Sequence, residues 1–185
     1  LFACAVLAAA ALYAAYEILS RDLPRIHSLR DYRPPIISRI YADDGRVIGE
    51  FFRERRVVVP LAEIPPLLVQ AFVAAEDARF FQHPGVDPLG ILRAALKNLQ
   101  AGAIRQGGST ITQQVTRSFL LTPEKSYVRK LKEIILSHRI EQNFTKEEIL
   151  FLYLNQIYLG HGAYGVQAAA ENYFGKSVGE LTLAE

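Results

Sequence analysis

Apolar and polar positions change rhythm along the chain. Residues 1–16 carry no charge at all, and Ile18-Leu19 continue the apolar run past Glu17. About 20 apolar residues span a bilayer, so residues 1–20 read as a truncated transmembrane anchor. Residues 21–60 switch to an extended pattern. Asp31-Tyr32-Arg33-Pro34-Pro35 is a linker with proline-fixed backbone. After it, Ile37-Ser38-Arg39-Ile40-Tyr41 and Val47-Ile48-Gly49-Glu50-Phe51-Phe52 flank Asp43-Asp44-Gly45. An Asp-Gly pair between two β-rich runs predicts a hairpin, with Arg56-Val57-Val58-Val59-Pro60 as a candidate third strand beside it.

From Pro65 onward every signal is helical. A helix opened by Pro65-Pro66 puts Leu68, Ala71, Phe72 and Ala75 on one face. Asp87-Pro88 reads as N-cap and first-turn proline for residues 89–100, with Gly102 closing that helix. Gly107-Gly108-Ser109-Thr110 opens the next helix, and Thr122-Pro123-Glu124 starts one running to Glu141. Thr145-Lys146-Glu147-Glu148 fits a capping box, followed by Ile149, Leu152, Tyr153 and Ile157 on one stripe. Residues 162–173 are rich in small side chains, with Gly175 as C-cap. The expected fold is mainly α, preceded by a small β-hairpin element and an N-terminal transmembrane helix.

Composition adds exclusions. Half of the 185 residues are hydrophobic, enough to bury one sizeable core. A formal net charge of +2 gives no polyanion-binding character, so a nucleic-acid partner is not expected and any anion site must be local. The single cysteine, Cys4, rules out an intrachain disulfide framework. His27, His83, His138 and His161 show no metal-ligand spacing. The absence of methionine and the start at Leu1, with an apolar-periodic segment beginning just before Glu185, mark the chain as a fragment cut at both ends.

Three clusters carry candidate chemistry. Glu76-Asp77 sits in or near the last turn of its helix, where the dipole disfavours negative charge by roughly 0.3–1 kcal/mol. That is a poor place for carboxylates kept only for solubility and a good one for a general base; the plain alternative is an acidic helix end followed by a core-packed Phe80-Phe81 turn. Gly107-Gly108-Ser109-Thr110-Ile111-Thr112-Gln113-Gln114 joins flexible glycines, hydroxyls and amides at a helix start, where unpaired N–H groups suit an anion. The plain alternative is a glycine turn with a Ser or Thr cap. It lacks the lysine of a P-loop. Arg129, Lys130 and Glu133 share one helix face with the cation before the acid, the weaker order for a helical ion pair. With Arg117 and Lys125 nearby, they form a local cationic site suited to phosphate or diphosphate.

Taken in series, these stretches resemble the peptidoglycan glycosyltransferases, glycosyltransferase family 51, found in class A penicillin-binding proteins and monofunctional transglycosylases. Glu76-Asp77-x-x-Phe80-x-x-His83-x-Gly85 looks like the first motif, residues 107–114 the second, and Arg129-Lys130-x-x-Glu133 the third. Lys146-x-x-Ile149-Leu150-x-x-Tyr153-Leu154-Asn155 resembles the fourth, and Gly165 through Tyr173-Phe174-Gly175-Lys176 the fifth. One departure is Tyr164, where some members carry arginine, which leaves any anion contact there without support.

The resemblance implies a lysozyme-like helical domain over residues 61–185, truncated at its C-terminus. It also implies an anchor in the cytoplasmic membrane with the domain on the periplasmic or extracellular side. Arg21, Arg25, Arg30 and Arg33, which follow the span, point the other way by the positive-inside rule alone. The implied substrate is lipid II, added to a growing β-1,4 glycan strand with inversion at the donor carbon and release of polyprenyl diphosphate. Glu76 would be the base and Glu133 the second catalytic acid, holding the cations or a divalent metal, magnesium or manganese. Asp77 would support Glu76. Ser109, Thr110, Gln113, Gln114, Arg117, Lys125, Arg129 and Lys130 would bind diphosphate or sugar oxygens. Phe80 and Tyr153 would pack, His83-Pro84-Gly85 would shape a turn, and Asn155 would be structural. A Ser-x-x-Lys motif beyond Glu185 would mark an attached transpeptidase domain. The rivals are a lysozyme-like glycan hydrolase, which needs no diphosphate site, and a non-catalytic membrane scaffold.

Overall fold

A computed structural model describes residues 10, 13–14, 16–21, 23–24, 38–52, 54–103, 107–122, 124 and 126–185. Most of the anchor, most of the linker and Lys125 therefore lie outside the described residues. Among those described, no helix is long and apolar enough to cross a membrane.

The hairpin forms as expected: β1 (Ser38–Tyr41) runs antiparallel to β2 (Val47–Phe51), with Ser38 opposite Phe51 and an irregularity between Ile40 and Tyr41. Gly45 supplies the left-handed turn residue at φ 80°. The third extended stretch does not join this hairpin. Instead β3 (Arg55–Arg56) pairs in parallel with β4 (Ala163–Tyr164), a strand lying in the segment read as wholly helical. Side chains explain the choice. Arg55 Nη2 meets Glu171 Oε2 at 3.3 Å, while buried Arg56 donates to Glu54 at 2.6 Å and stacks 5.3 Å from the Tyr164 ring. Glu54 is local to the strand, whereas Glu171 and Tyr164 are met beside β4. Tyr164 thus serves as a platform for Arg56.

The helices are α1 (Pro66–Glu76), α2 (Pro88–Ala101), α3 (Ile111–Leu120), α4 (Tyr127–Asn143), α5 (Lys146–Gln156) and α6 (Val166–Phe174). Pro66 and Pro88 occupy first-turn positions, where a missing N–H costs nothing. Gly102 at φ 62° and Gly175 at φ 68° end α2 and α6. Thr110 and Thr145 each close a full capping box. The helix expected from Thr122 starts later, at Tyr127, because Ser126 is the residue whose side chain accepts the Arg129 N–H, at 3.0 Å. Asp87 is the N-cap residue of α2, its backbone oxygen accepting from Ile91 N at 3.0 Å, while its carboxylate makes no cap bond and lies 3.4 Å from Arg79 Nη1.

Helix α3 packs against both α4 and α5, and the core gathers there. Phe80, Ile111, Val115, Ile140, Ile149 and Leu154 are fully enclosed or nearly so. Asn155 ties the entering chain to this core: its amide oxygen accepts from Val59 N at 2.9 Å and its Nδ2 donates to Val59 O at 3.0 Å. Replacing Asn155 by Ala strands two buried backbone groups, each costing about 1–3 kcal/mol. Denaturant unfolding of Asn155→Ala is expected to show a loss of roughly 2–4 kcal/mol.

Candidate functional site

Glu76 is the last residue of α1 and Asp77 its C-cap, so the two carboxylates diverge. Glu76 is exposed, and Gln114 on α3 donates to its Oε2 at 2.8 Å. Asp77 turns inward and is buried. It accepts from His83 Nε2 at 3.0 and 3.1 Å and from the Ile111 backbone N–H at 3.1 Å. One carboxylate therefore clamps the start of α3 to the end of α1, and the other stays free for chemistry. His83 is part of this clamp rather than only of a turn. Gly85 follows at φ 96°, where a Cβ would come within 2.7 Å of Ser137 O.

The glycine-opened segment is divided in function. Thr110 and Gln113 are buried and form a reciprocal capping box. Gln113 N donates to Thr110 Oγ1 at 3.2 Å, Thr110 N to Gln113 Oε1 at 3.0 Å, and Thr110 Oγ1 to Gly85 O at 2.6 Å. These bonds give the two side chains a capping role in the turn, the plain alternative for this segment. Ser109 remains on the site side, where it accepts from Lys130 Nζ at 2.9 Å.

Helix α4 brings Arg129, Lys130 and Glu133 together as the spacing required. Glu133 is fully buried. Its Oε2 takes Arg129 Nη1 at 2.8 Å and its Oε1 takes Lys130 Nζ. Arg129 Nε also donates to Glu124 O at 2.6 Å. Enclosed in this way, Glu133 anchors two cations. This donor set does not fit a divalent metal, since both oxygens are already held by cations. No group of three His, Cys, Asp or Glu suited to a metal occurs among the described residues.

Glu76 borders a cavity of about 220 Å³ lined also by Asp87, Arg93, Lys97, Gly107 and Ser109. Arg93 and Lys97 were not singled out in the sequence. The signal was there: they sit four apart on α2, a helix without an acidic residue, and neither has an ion-pair partner among the described residues. A second cavity of about 270 Å³ lies along α3 and α5, lined by Gln114, Arg117, Tyr153 and Gln156. The Gln114 that holds Glu76 therefore lines the neighbouring cavity as well, and Arg117 lies exposed within it.

A deeper polar pair supports both. Lys146 Nζ reaches Glu141 at 2.7 Å and His83 O at 2.8 Å, and lies 4.3 Å from the Phe80 ring centre. Thr112 Oγ1 donates to the same Glu141 oxygen at 2.5 Å.

A mainly helical domain that presents one free carboxylate beside anchored cations is suited to group transfer on an anionic substrate. Comparison with known proteins says of what kind. Residues 44–185 match the family described as Transglycosylase. Penicillin-binding protein 1A of Escherichia coli is 52% identical over 182 residues, which is 98% of this chain and 21% of that protein. Penicillin-binding protein 1A of Rickettsia felis is 56% identical over 169 residues, 90% of this chain and 21% of the relative. That of Vibrio cholerae is 46% identical over 182 residues, 98% and 22% respectively. The chain thus spans about a fifth of the length of the curated relatives it matches. It belongs to the transglycosylase family, glycosyltransferase family 51, and is an enzyme domain of that family.

Removing one member of a buried ion cluster costs about 3–5 kcal/mol because the rest is left uncompensated. Lys130 is partly exposed and keeps Ser109, so Glu133→Gln is expected to lose about 3 kcal/mol in denaturant unfolding, at the lower end of that range.

Proposed function

We propose that this domain polymerises lipid II into β-1,4 glycan strands in cell-wall synthesis, with Glu76 as the general base. The observation that carries the reading is the free Glu76 carboxylate, held by Gln114 at a helix end and sharing a cavity with Ser109, which is bound to Lys130. A sugar hydroxyl is a weak nucleophile and needs a base at the moment of attack. The 4-hydroxyl of the acceptor GlcNAc attacks the anomeric carbon of the donor MurNAc, and Glu76 takes the hydroxyl proton. The new C–O bond forms as the bond to the polyprenyl diphosphate breaks, and the electron pair leaves on the phosphate oxygen. Configuration inverts from α to β.

Charge grows on the leaving diphosphate, so fixed cations stabilise the transition state more than the ground state. Arg129 and Lys130 supply this charge, with Arg117 and Lys125 as further contacts. Glu133 positions the first two without contacting the sugar, and Asp77 does the same for Glu76 through His83 and Ile111. A magnesium or manganese ion enters the proposal only as a counter-ion of the diphosphate, and no step runs through it. The cation cluster favours transfer from a diphosphate over the hydrolase reading.

The wider setting follows from the family and the apolar start of the chain. Residues 1–20 anchor the protein in the cytoplasmic membrane, residues 21–60 form linker and hairpin, and residues 61–185 carry the transferase on the periplasmic or extracellular side. The lysozyme-like arrangement and an attached transpeptidase domain belong to the same proposal.

The test is incubation of the protein with lipid II and a gel reading of product length. Glu76→Gln is expected to lower polymerisation by at least about 10³-fold while lipid II binding stays measurable; polymer formed at the wild-type rate would reject the base assignment and favour the scaffold reading. Replacing Arg129 and Lys130 together by Ala should weaken lipid II binding about tenfold or more, read by equilibrium titration.

A further inference from the structure

Tyr153 has a feature that packing does not explain. Helix α5 turns its ring into the core, where it meets Phe72 edge-on with centroids 6.0 Å apart. The residue is only 2% exposed. Its phenol oxygen is buried with no hydrogen-bond partner among the described residues. An unpaired buried hydroxyl lowers stability, and phenylalanine would fill the same space without that penalty. A hydroxyl kept under those conditions points to a partner that arrives from outside.

The surroundings define that partner. Tyr153 lines the cavity of about 270 Å³ together with Gln114, Arg117, Ser118 and Gln156. No carboxylate contributes to this lining, and Arg117 has no ion-pair partner among the described residues. The Ser118 hydroxyl is taken up by Gln114 O and the Gln114 amide holds Glu76, so the phenol of Tyr153 and the guanidinium of Arg117 are the donors that call for a ligand with acceptor oxygens. Burial, and then the charge of Glu76, push the phenol pKa well above its ordinary value, with Arg117 pulling weakly the other way. Tyr153 therefore keeps its proton at neutral pH and acts as a donor. Gln114 joins this cavity to the reacting centre through its bond to Glu76.

We propose that the Tyr153 hydroxyl is a catalytic residue, donating a hydrogen bond to a phosphate oxygen of the substrate held in the Gln114–Arg117 cavity. It rests on the diphosphate reading above and adds to it a neutral, buried donor beside the cations. Such a donor gains strength as charge builds on the departing phosphate, because the phenol itself is buried away from water.

Tyr153→Phe removes one oxygen and nothing else, so it separates function from packing. Three readings are made on the intact protein: thermal unfolding, binding of inorganic pyrophosphate by titration, and polymerisation of lipid II. The expected result is an unchanged or raised unfolding temperature, pyrophosphate affinity weakened about threefold or more, and polymerisation slowed about tenfold or more. A lowered unfolding temperature together with lost activity would make the hydroxyl structural and overturn the proposal. Slowed polymerisation with unchanged pyrophosphate affinity would place the contact on a sugar oxygen and overturn it too, as would polymerisation within about twofold of wild type. The parent reading fails by a different sign, polymerisation by Glu76→Gln. Active Tyr153→Phe beside inactive Glu76→Gln rejects only the inference about Tyr153.

Discussion

The Asp77 carboxylate is the constraint on which the site depends. It is buried, and it accepts from a histidine six residues on and from the first backbone N–H of α3, 34 residues on. A helix N-terminus has unpaired N–H groups that favour a negative partner, and here the partner comes from the end of another helix. Joining the two ends in this way sets Gln114, one turn into α3, against Glu76 at the end of α1. The free carboxylate is thus positioned by the bound one beside it. The close approach of Gly85 to Ser137 and the Thr110 bond to Gly85 O lock the same junction from the other side.

Around that junction, charge is arranged so that the acids are spent inward and the cations outward. Glu133 is fully enclosed and gives both oxygens to Arg129 and Lys130. Those side chains remain partly accessible, Lys130 at 39%. One buried carboxylate against two cations leaves a net positive group at the rim of the site. The burial cost of Glu133 is offset by the pair it holds, and removing it would leave both cations mispositioned. Glu141 does similar service for Lys146 deeper in the core, where the lysine also caps His83 O. Positive charge at the site is therefore fixed by the core rather than by mobile surface lysines, which is the condition for preorganised stabilisation of a leaving anion.

Local signals made most of this legible from the residues alone. The capping box at Thr145, the first-turn prolines at Pro66 and Pro88 and the Asp-Gly hairpin all write their structure within a few residues, and these formed as read. The helix-face spacing of Arg129, Lys130 and Glu133 was equally local. What could not be read depended on partners distant in sequence. β3 pairs with β4 rather than with the hairpin, and there Arg56 meets Tyr164 and Arg55 meets Glu171, partners more than 100 residues away. The inward turn of Gln113 and the outward turn of its neighbour Gln114 follow from helix phase relative to the core, and residue type alone does not separate them. Burial of Glu133 was invisible for the same reason. An acid on a charged helix face looks exposed until α3 is packed against that face.

Phase also explains why Gln114 is the hinge between the two cavities. Helix α3 presents Gln114 toward Glu76, and Arg117 and Ser118 follow three and four residues later, so the same face continues down the second cavity. An inverting displacement needs the base and the leaving group on opposite faces of one carbon. In the proposed reaction α3 holds the base through Gln114 and offers the Arg117 cation three residues on, a rise of about 4.5 Å along the helix. That interval is set by backbone geometry and does not depend on how either side chain moves. On this view the Gly107–Gly108 opening and the Thr110 cap exist to start α3 in the right phase, and the chemistry follows from where that helix begins.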